Sequence, residues 1–398
     1  MLVARRKNGE LFSLGDCPNR DLLRQTFKKE EFYCPVCKQK VILKIGSKKI
    51  AHFAHQKDQS CKRNFYERES DYHLAGKLKL YEWLKMEGAK PALEPYLPEI
   101  RQRPDILFLY DNKKYVIEFQ CSAIPEEIIR KRTESYVQNG FIPLWIVGAN
   151  QLNRKGKNTA SISSFHYLFL RKMDRTMYIP FFCPNSCQFI YLHSIVPLSI
   201  RNTIVSLSLF HLATASLNEI IYPVLNNNFS SFDWRKGIEN FKRQLVMRPR
   251  AFSDPFLKEI YKNHLNVSYL PSYIGLPVFH SPYIETSPII WQCYIWIDII
   301  NKCQPGDMIT FDQVYSSFVS RVKRKHVKVR EFPLIKNGHP SFAVWEYLSL
   351  LSITGALTKA GQRSYRVSTI NIPENSFQKS TLEEDFYRQY GKIIERNL

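Results

Sequence analysis

The chain has 398 residues, 44% of them hydrophobic, with 57 Lys+Arg against 36 Asp+Glu for a formal net charge of +21. That length fills two or three cores, and the charge favours polyanionic partners, nucleic acid or an anionic membrane surface, through counterion release. No signal-peptide pattern and no membrane-length apolar run is present, and nine cysteines cannot form a fully paired disulfide framework; a cytoplasmic, reducing location without stable membrane insertion is expected.

In chain order, the first motif is Cys34-Pro35-Val36-Cys37, followed by a β-like segment at 41–50, His52-Phe53-Ala54-His55, and Cys61. This is zinc-ribbon spacing, and tetrahedral Zn2+ takes four ligands from five candidates. In a strand, residues three apart face opposite sides. Cys34, Cys37, His55 and Cys61 are the favoured structural site, with His52 as the alternate.

Residues 66–88 carry Leu74, Leu78, Tyr81 and Leu84 at helical spacing, without proline and ending on glycine. Glu69, His73 and Lys77 recur every four residues and would form one row along that helix. A short strand at 91–97 containing Glu94 follows, then a hairpin of strands 103–110 and 114–120 about the turn Asp111-Asn112-Lys113. A carboxylate entering a half-buried sheet must be paired or bound to a cation. Asp105 and Glu118 are therefore candidate ligands for Mg2+ or Mn2+, which prefer hard oxygen donors. Glu118 and Gln120 share a face and Phe119 takes the opposite one. A second helix at 125–139 sets Arg132 and Tyr136 one turn apart, and an apolar strand at 142–147 completes the order α-β-β-β-α-β.

That order, with these residues, resembles the core of the PD-(D/E)xK nuclease superfamily over roughly residues 65–150. The resemblance implies metal ligation by Asp105, Glu118 and the helix histidine His73, with Arg132 and Tyr136 as an altered form of the last motif of the RecB-like branch. Gln120 stands where that superfamily has lysine, and glutamine can only hydrogen-bond. Lys77, reaching from the helix, is expected to restore the charge, with Glu69 and Glu94 in auxiliary roles. Together with Cys-Pro-x-Cys and His-Phe-Ala-His, these motifs resemble the competence protein CoiA family. The likeness implies a nuclease acting on incoming single-stranded DNA or recombination intermediates during natural transformation, with DNA and recombination proteins as partners. The alternative is a catalytically inactive DNA-binding accessory that keeps the fold.

The rest of the chain is less explicit. Residues 151–165 lack apolar periodicity and read as a linker or exposed loop. Residues 202–218, the most apolar stretch, read as a buried helix, and Cys183 and Cys187 as structural or free thiols. Residues 232–265 read as helical and basic. A helix at 289–301, another starting near Phe311, a third at 342–353 and two strands about residue 361 give a winged-helix order. Beside it lie Arg321, Lys323, Arg324, Lys325, Lys328 and Arg330, candidate DNA contacts. The expected organisation is α+β and multidomain: a zinc-ribbon-like module (1–64), a restriction-endonuclease-like core (65–150), a connecting loop (151–165), a helical region (166–284) and a winged-helix-like domain (285–398).

Overall fold

The computed structural model describes residues 1–17, 19–27, 30–46, 49–56, 69–249 and 251–398. It divides into two compact units, the first comprising 1–152, 179–191 and 208–224, the second 153–178, 192–207 and 225–398. The fold is mixed α+β, with a helical C-terminal region.

The first unit begins with a five-stranded antiparallel sheet of β1 (Val3–Arg6), β2 (Leu11–Ser13), β3 (Phe32–Tyr33), β4 (Lys40–Lys44) and β5 (His52–His55), in the spatial order β2-β1-β3-β4-β5. The helix α1 (Arg20–Phe27) joins β2 to β3. Phe32 packs its ring 4.8 Å from Phe53 and 5.6 Å from Phe12, an aromatic core under this small sheet.

The second sheet of this unit follows the predicted order. Helix α2 (Asp71–Met86) is capped by Ser70, whose hydroxyl accepts from the His73 amide at 3.2 Å. Strands β6 (Ala92–Leu93), β7 (Ile106–Tyr110) and β8 (Lys113–Gln120) pair antiparallel. The crossover helix α3 (Glu126–Gln138) then lays β9 (Phe141–Gly148) parallel to β8. The strand Thr176–Cys183 adds to the other side of β9, again parallel.

The two helices cover opposite faces. A Cβ on Gly76 would lie 1.9 Å from the Phe119 ring, so only glycine lets α2 sit this close to β8. Arg132 and Tyr136 of α3 instead meet Glu118, the neighbour of Phe119 on the other face. Trp145 on β9 fixes α3 by donating to Thr133 Oγ1 at 3.0 Å.

Three expectations need correcting. The region 166–284, expected to be helical, opens with the strands Arg171–Met173, Thr176–Cys183, Gln188–Pro197 and Asn202–His211, and its longer helices come only after them. Residues 202–218 hold the strand Asn202–His211, not a buried helix, and a short helix Leu217–Ile221. The β-branched run Thr203-Ile204-Val205 and the alternation Ser206-Leu207-Ser208-Leu209 suit a pleated strand, whereas overall apolarity does not separate the two conformations. Within residues 151–165, Asn153–Arg154 pairs antiparallel with Thr159–Ser161, forming a hairpin with an exposed Arg154-Lys155-Gly156-Lys157 tip.

The second unit is built around Trp234, Trp291 and Trp296, with Tyr347 and Tyr365 beside them. The helix Ser231–Met247 is tied to the final helix Ser376–Arg396, where Ser231 donates through its amide and hydroxyl to Glu395 at 2.8 and 2.7 Å. Further on, the order is helix Pro288–Asp298, strand Met308–Thr310, helix Phe311–Lys323, helix Pro340–Ile353, and strands Leu357–Lys359 and Ser364–Val367. The three strands form one antiparallel sheet with Ser364–Val367 in the middle. No helix among the described residues is long and apolar enough to cross a membrane.

Candidate metal centre

Asp105 lies just before β7, at the mouth of the strand rather than within it. Its Oδ2 accepts from the Phe119 amide at 2.8 Å and stands 3.3 Å from His73 Nε2, while Oδ1 is 3.5 Å from Lys77 Nζ. Burial raises the cost of its charge, but Lys77 and His73 outweigh that and hold the carboxyl well below its usual range. Glu69 precedes α2 instead of lying on it, yet it completes the predicted row. Its Oε1 accepts from Lys77 and its Oε2 from the Met1 amino group at 2.7 Å. Glu69, His73 and Asp105 each offer a donor atom within 4.8 Å of the others.

Two carboxylates and an imidazole suit a divalent cation of the hard or borderline kind. Lys77 competes for the same oxygens. It is only 1% exposed and is shared by Glu69, Glu94, at 2.5 Å, and Asp105. Against the cost of burial, these three carboxylates push its pKa above that of a free lysine, so it stays charged.

Glu118 falls outside that group. Its Oε1 accepts from Arg132 and from the Tyr136 hydroxyl, the latter at 2.5 Å, and Arg132 also donates to Tyr136 at 3.1 Å and to the Arg103 carbonyl at 3.3 Å. Glu118 faces α3, whereas His73 approaches from α2, which is why the expected trio of Asp105, Glu118 and His73 is replaced by Glu69, His73 and Asp105. Burial lifts the Glu118 pKa to about 7, partly offset by Arg132. Gln120 also turns aside, and its Nε2 donates to the Ser122 carbonyl at 2.6 Å. Its backbone carbonyl accepts from Gln151 at 3.2 Å.

Sequence reasoning missed how Glu94 is held. This residue has a left-handed backbone (φ 46°) and is 2% exposed. Its Oε2 accepts from the amides of Leu2 at 2.9 Å and Val3 at 3.4 Å, and Arg103 approaches to 3.9 Å. A contact spanning some ninety residues leaves no local pattern to read. An acid expected within a strand was the available signal.

In the amino-terminal module, Cys34, Cys37 and His55 form a second group of donors within 4.8 Å. His55 Nε2 is 3.3 Å from Cys37 Sγ, while His52 Nδ1 instead meets the Ile50 carbonyl at 2.9 Å. Cys61 lies outside the described residues. The eight described cysteines are all free thiols, among them Cys183 and Cys187.

The six basic candidates near the C-terminus divide by burial. Arg321 is buried in ion pairs with Asp298 and Glu259, and Arg330 lies over the Tyr167 ring at 4.1 Å while donating to the Pro282 and Ile284 carbonyls. These two hold the unit together. Lys323, Arg324, Lys325 and Lys328 are exposed.

Three family models match this chain in succession: the competence protein CoiA N-terminal domain at 15–64, its nuclease-like domain at 69–225 and its C-terminal domain at 229–379. The chain belongs to the CoiA family. Competence protein CoiA of Bacillus subtilis (strain 168) is 29% identical over 346 residues, covering 86% of this chain and 91% of that relative. No solved structure matches significantly. Within this CoiA-family chain, the carboxylates and His73 described above belong to the part matched as nuclease-like.

Proposed function

We propose that this CoiA-family chain is a metal-dependent DNA nuclease, acting in the cytoplasm on incoming single-stranded DNA or on recombination intermediates during natural transformation. The observation that carries this reading is the convergence of Glu69, His73 and Asp105 beside a buried, charged Lys77. Mg2+ or Mn2+ held there would polarise the phosphodiester and acidify a water. In the hydrolysis, water oxygen bonds to phosphorus, one ester P–O bond breaks, and the products are a phosphate monoester and a free hydroxyl. Asp105 is oriented by the Phe119 amide, so the strand itself sets the ligand's direction. Lys77 supplies the positive charge that Gln120 lacks. Glu118 Oε1 is taken by Arg132 and the Tyr136 hydroxyl, so in this arrangement it positions α3 against β8.

The reading extends to the flanking modules. Zn2+ on Cys34, Cys37 and His55, with Cys61 as fourth ligand, would make the first module a zinc ribbon. Zinc removed by a chelator, or lost in Cys37→Ser, is expected to lower the melting temperature, measured alongside metal content; an unchanged zinc content in Cys37→Ser counts against the assignment. The helix and strand order at 288–367 supports a winged helix, but its third helix carries no lysine or arginine. DNA contact there falls instead to the exposed phosphate-binding charges Lys323, Arg324, Lys325 and Lys328.

A second reading, a DNA-binding accessory without cleavage, is favoured by Gln120 turning into its own loop and by the burial of Lys77. Incubation with single-stranded, duplex and branched DNA plus Mg2+ or Mn2+, beside Asp105→Ala, separates the two. Cleavage lost in the variant supports the nuclease. Binding without cleavage in both supports the accessory.

A further inference from the structure

We infer that Glu94 is a positioning residue that sets the divalent-metal affinity of the site by taking part of the Lys77 charge that would otherwise fall wholly on the metal-binding carboxylates. The inference rests on the metal reading above and deepens it.

Lys77 contacts Glu69, Glu94 and Asp105 together. Glu69 and Asp105 are also candidate ligands, so every share of the ammonium they take is charge withdrawn from a bound cation. Glu94 takes a share that costs the site nothing. Its Oε1 lies 2.5 Å from Lys77 Nζ, against 3.5 Å for Asp105 Oδ1, while Glu69 lies nearer still. Its carboxylate belongs to no group of candidate metal donors among the described residues.

Glu94 is also fixed from behind. The Leu2 and Val3 amides hold Oε2, and the backbone amide of Glu94 donates to the Asp105 carbonyl at 2.8 Å. The strand that supplies those amides is itself fastened to β5, where the Phe53 amide donates to the Met1 carbonyl at 2.9 Å. The amino-terminal sheet thus aims a carboxylate at Lys77, and the left-handed backbone at Glu94 completes the turn that aims it. In a buried cluster, opposite charges a few ångströms apart interact far more strongly than in water. Neutralising Glu94 leaves Lys77 to Glu69 and Asp105, the oxygens a metal needs.

The test is Mn2+ titration of the full chain by calorimetry, with thermal unfolding followed on the same samples. Glu94→Gln keeps an amide oxygen for Leu2 and Val3 but removes the charge, and is expected to weaken Mn2+ binding by about ten-fold or more. Lys77→Met, freeing the carboxylates, is expected to tighten it. The double variant, which removes one charge of each sign, is expected to return to within about three-fold of wild type. A merely structural role would lower the melting temperature of Glu94→Gln without this reversal. Wild-type binding with unchanged affinity in Glu94→Gln overturns the inference alone. If Glu94→Gln does not fold, Lys77→Met decides in its place, and unchanged affinity there overturns the inference as well. No Mn2+ binding by wild type, or binding that survives Asp105→Ala, overturns the underlying metal reading too.

Discussion

Strand β8 borders two buried ion clusters of different make-up. On the α2 side Lys77 is shared by three carboxylates, with the Met1 ammonium on Glu69 and Arg103 beside Glu94. On the α3 side one carboxylate, Glu118, accepts from a guanidinium and a phenol. Both clusters are built from residues that look alike in a motif. In the first, Glu69, His73 and Asp105 bring donor atoms within 4.8 Å of one another. In the second, both contacts fall on Glu118 Oε1 and tie it to α3. Which side chains converge on each acid therefore distinguishes the two clusters where residue type does not.

The sharpest way to break this comparison is to delete one acid from each side. Asp105→Ala is expected to lose metal-dependent cleavage by roughly a hundred-fold or more, since a metal's stabilisation of developing charge is worth several kcal/mol. Glu118→Gln is expected to keep Mn2+ binding near the wild-type level. Equal losses of metal in the two variants would erase the distinction between the clusters.

The next effect is on folding. Arg132→Ala leaves Glu118 buried without its guanidinium and is expected to cost about 3 kcal/mol in urea unfolding. A loss under about 0.5 kcal/mol, as for an exposed pair, would show that this side is not tied together as described.

A smaller effect is expected with pH. Glu118 titrates near 7 in the folded chain against 4.5 for an ordinary glutamate. A raised folded pKa means the folded state holds the proton more tightly, so this contribution is complete below about pH 4.5 and is lost as pH rises through 7. Glu118→Gln should therefore narrow the fall in stability between pH 5 and pH 8. Asp105, Glu69 and Glu94 have lowered values, and what they contribute is lost on acidification, below that window.

The smallest effect extends the comparison to the C-terminal basic stretch. Lys325→Glu is expected to leave stability within about 0.5 kcal/mol while weakening DNA binding a few-fold in low salt. Arg321→Ala is expected to destabilise the chain, as its guanidinium fills a buried site between Asp298 and Glu259.

The sequence made the core of the first unit legible because its elements announce themselves locally. The period of Leu74, Leu78, Tyr81 and Leu84, the turn at Asp111-Asn112-Lys113 and the acids flanking the hairpin sufficed for α2, β7, β8, α3 and β9 in order. It also brought Glu69, His73, Lys77 and Asp105 onto one page. What stayed hidden was direction. Which face Glu118 takes follows from α3 docking, a tertiary fact. The Asn202–His211 strand was misread as helix, because apolar content carries no period of its own. Arg321 and Arg330 looked like surface charges because nothing local reveals Asp298, Glu259 or Tyr167 beneath them.

The amides of Leu2 and Val3 bear on how the nuclease-like part should be studied. A protein trimmed to residues 69–225, the span matched by that family model, would lack the two donors that hold Glu94 Oε2. Its buried carboxylate would face Lys77 with half its anchorage gone, and inactivity of such a fragment would say nothing about the intact molecule. The smallest unit worth assaying includes the first strand of the chain.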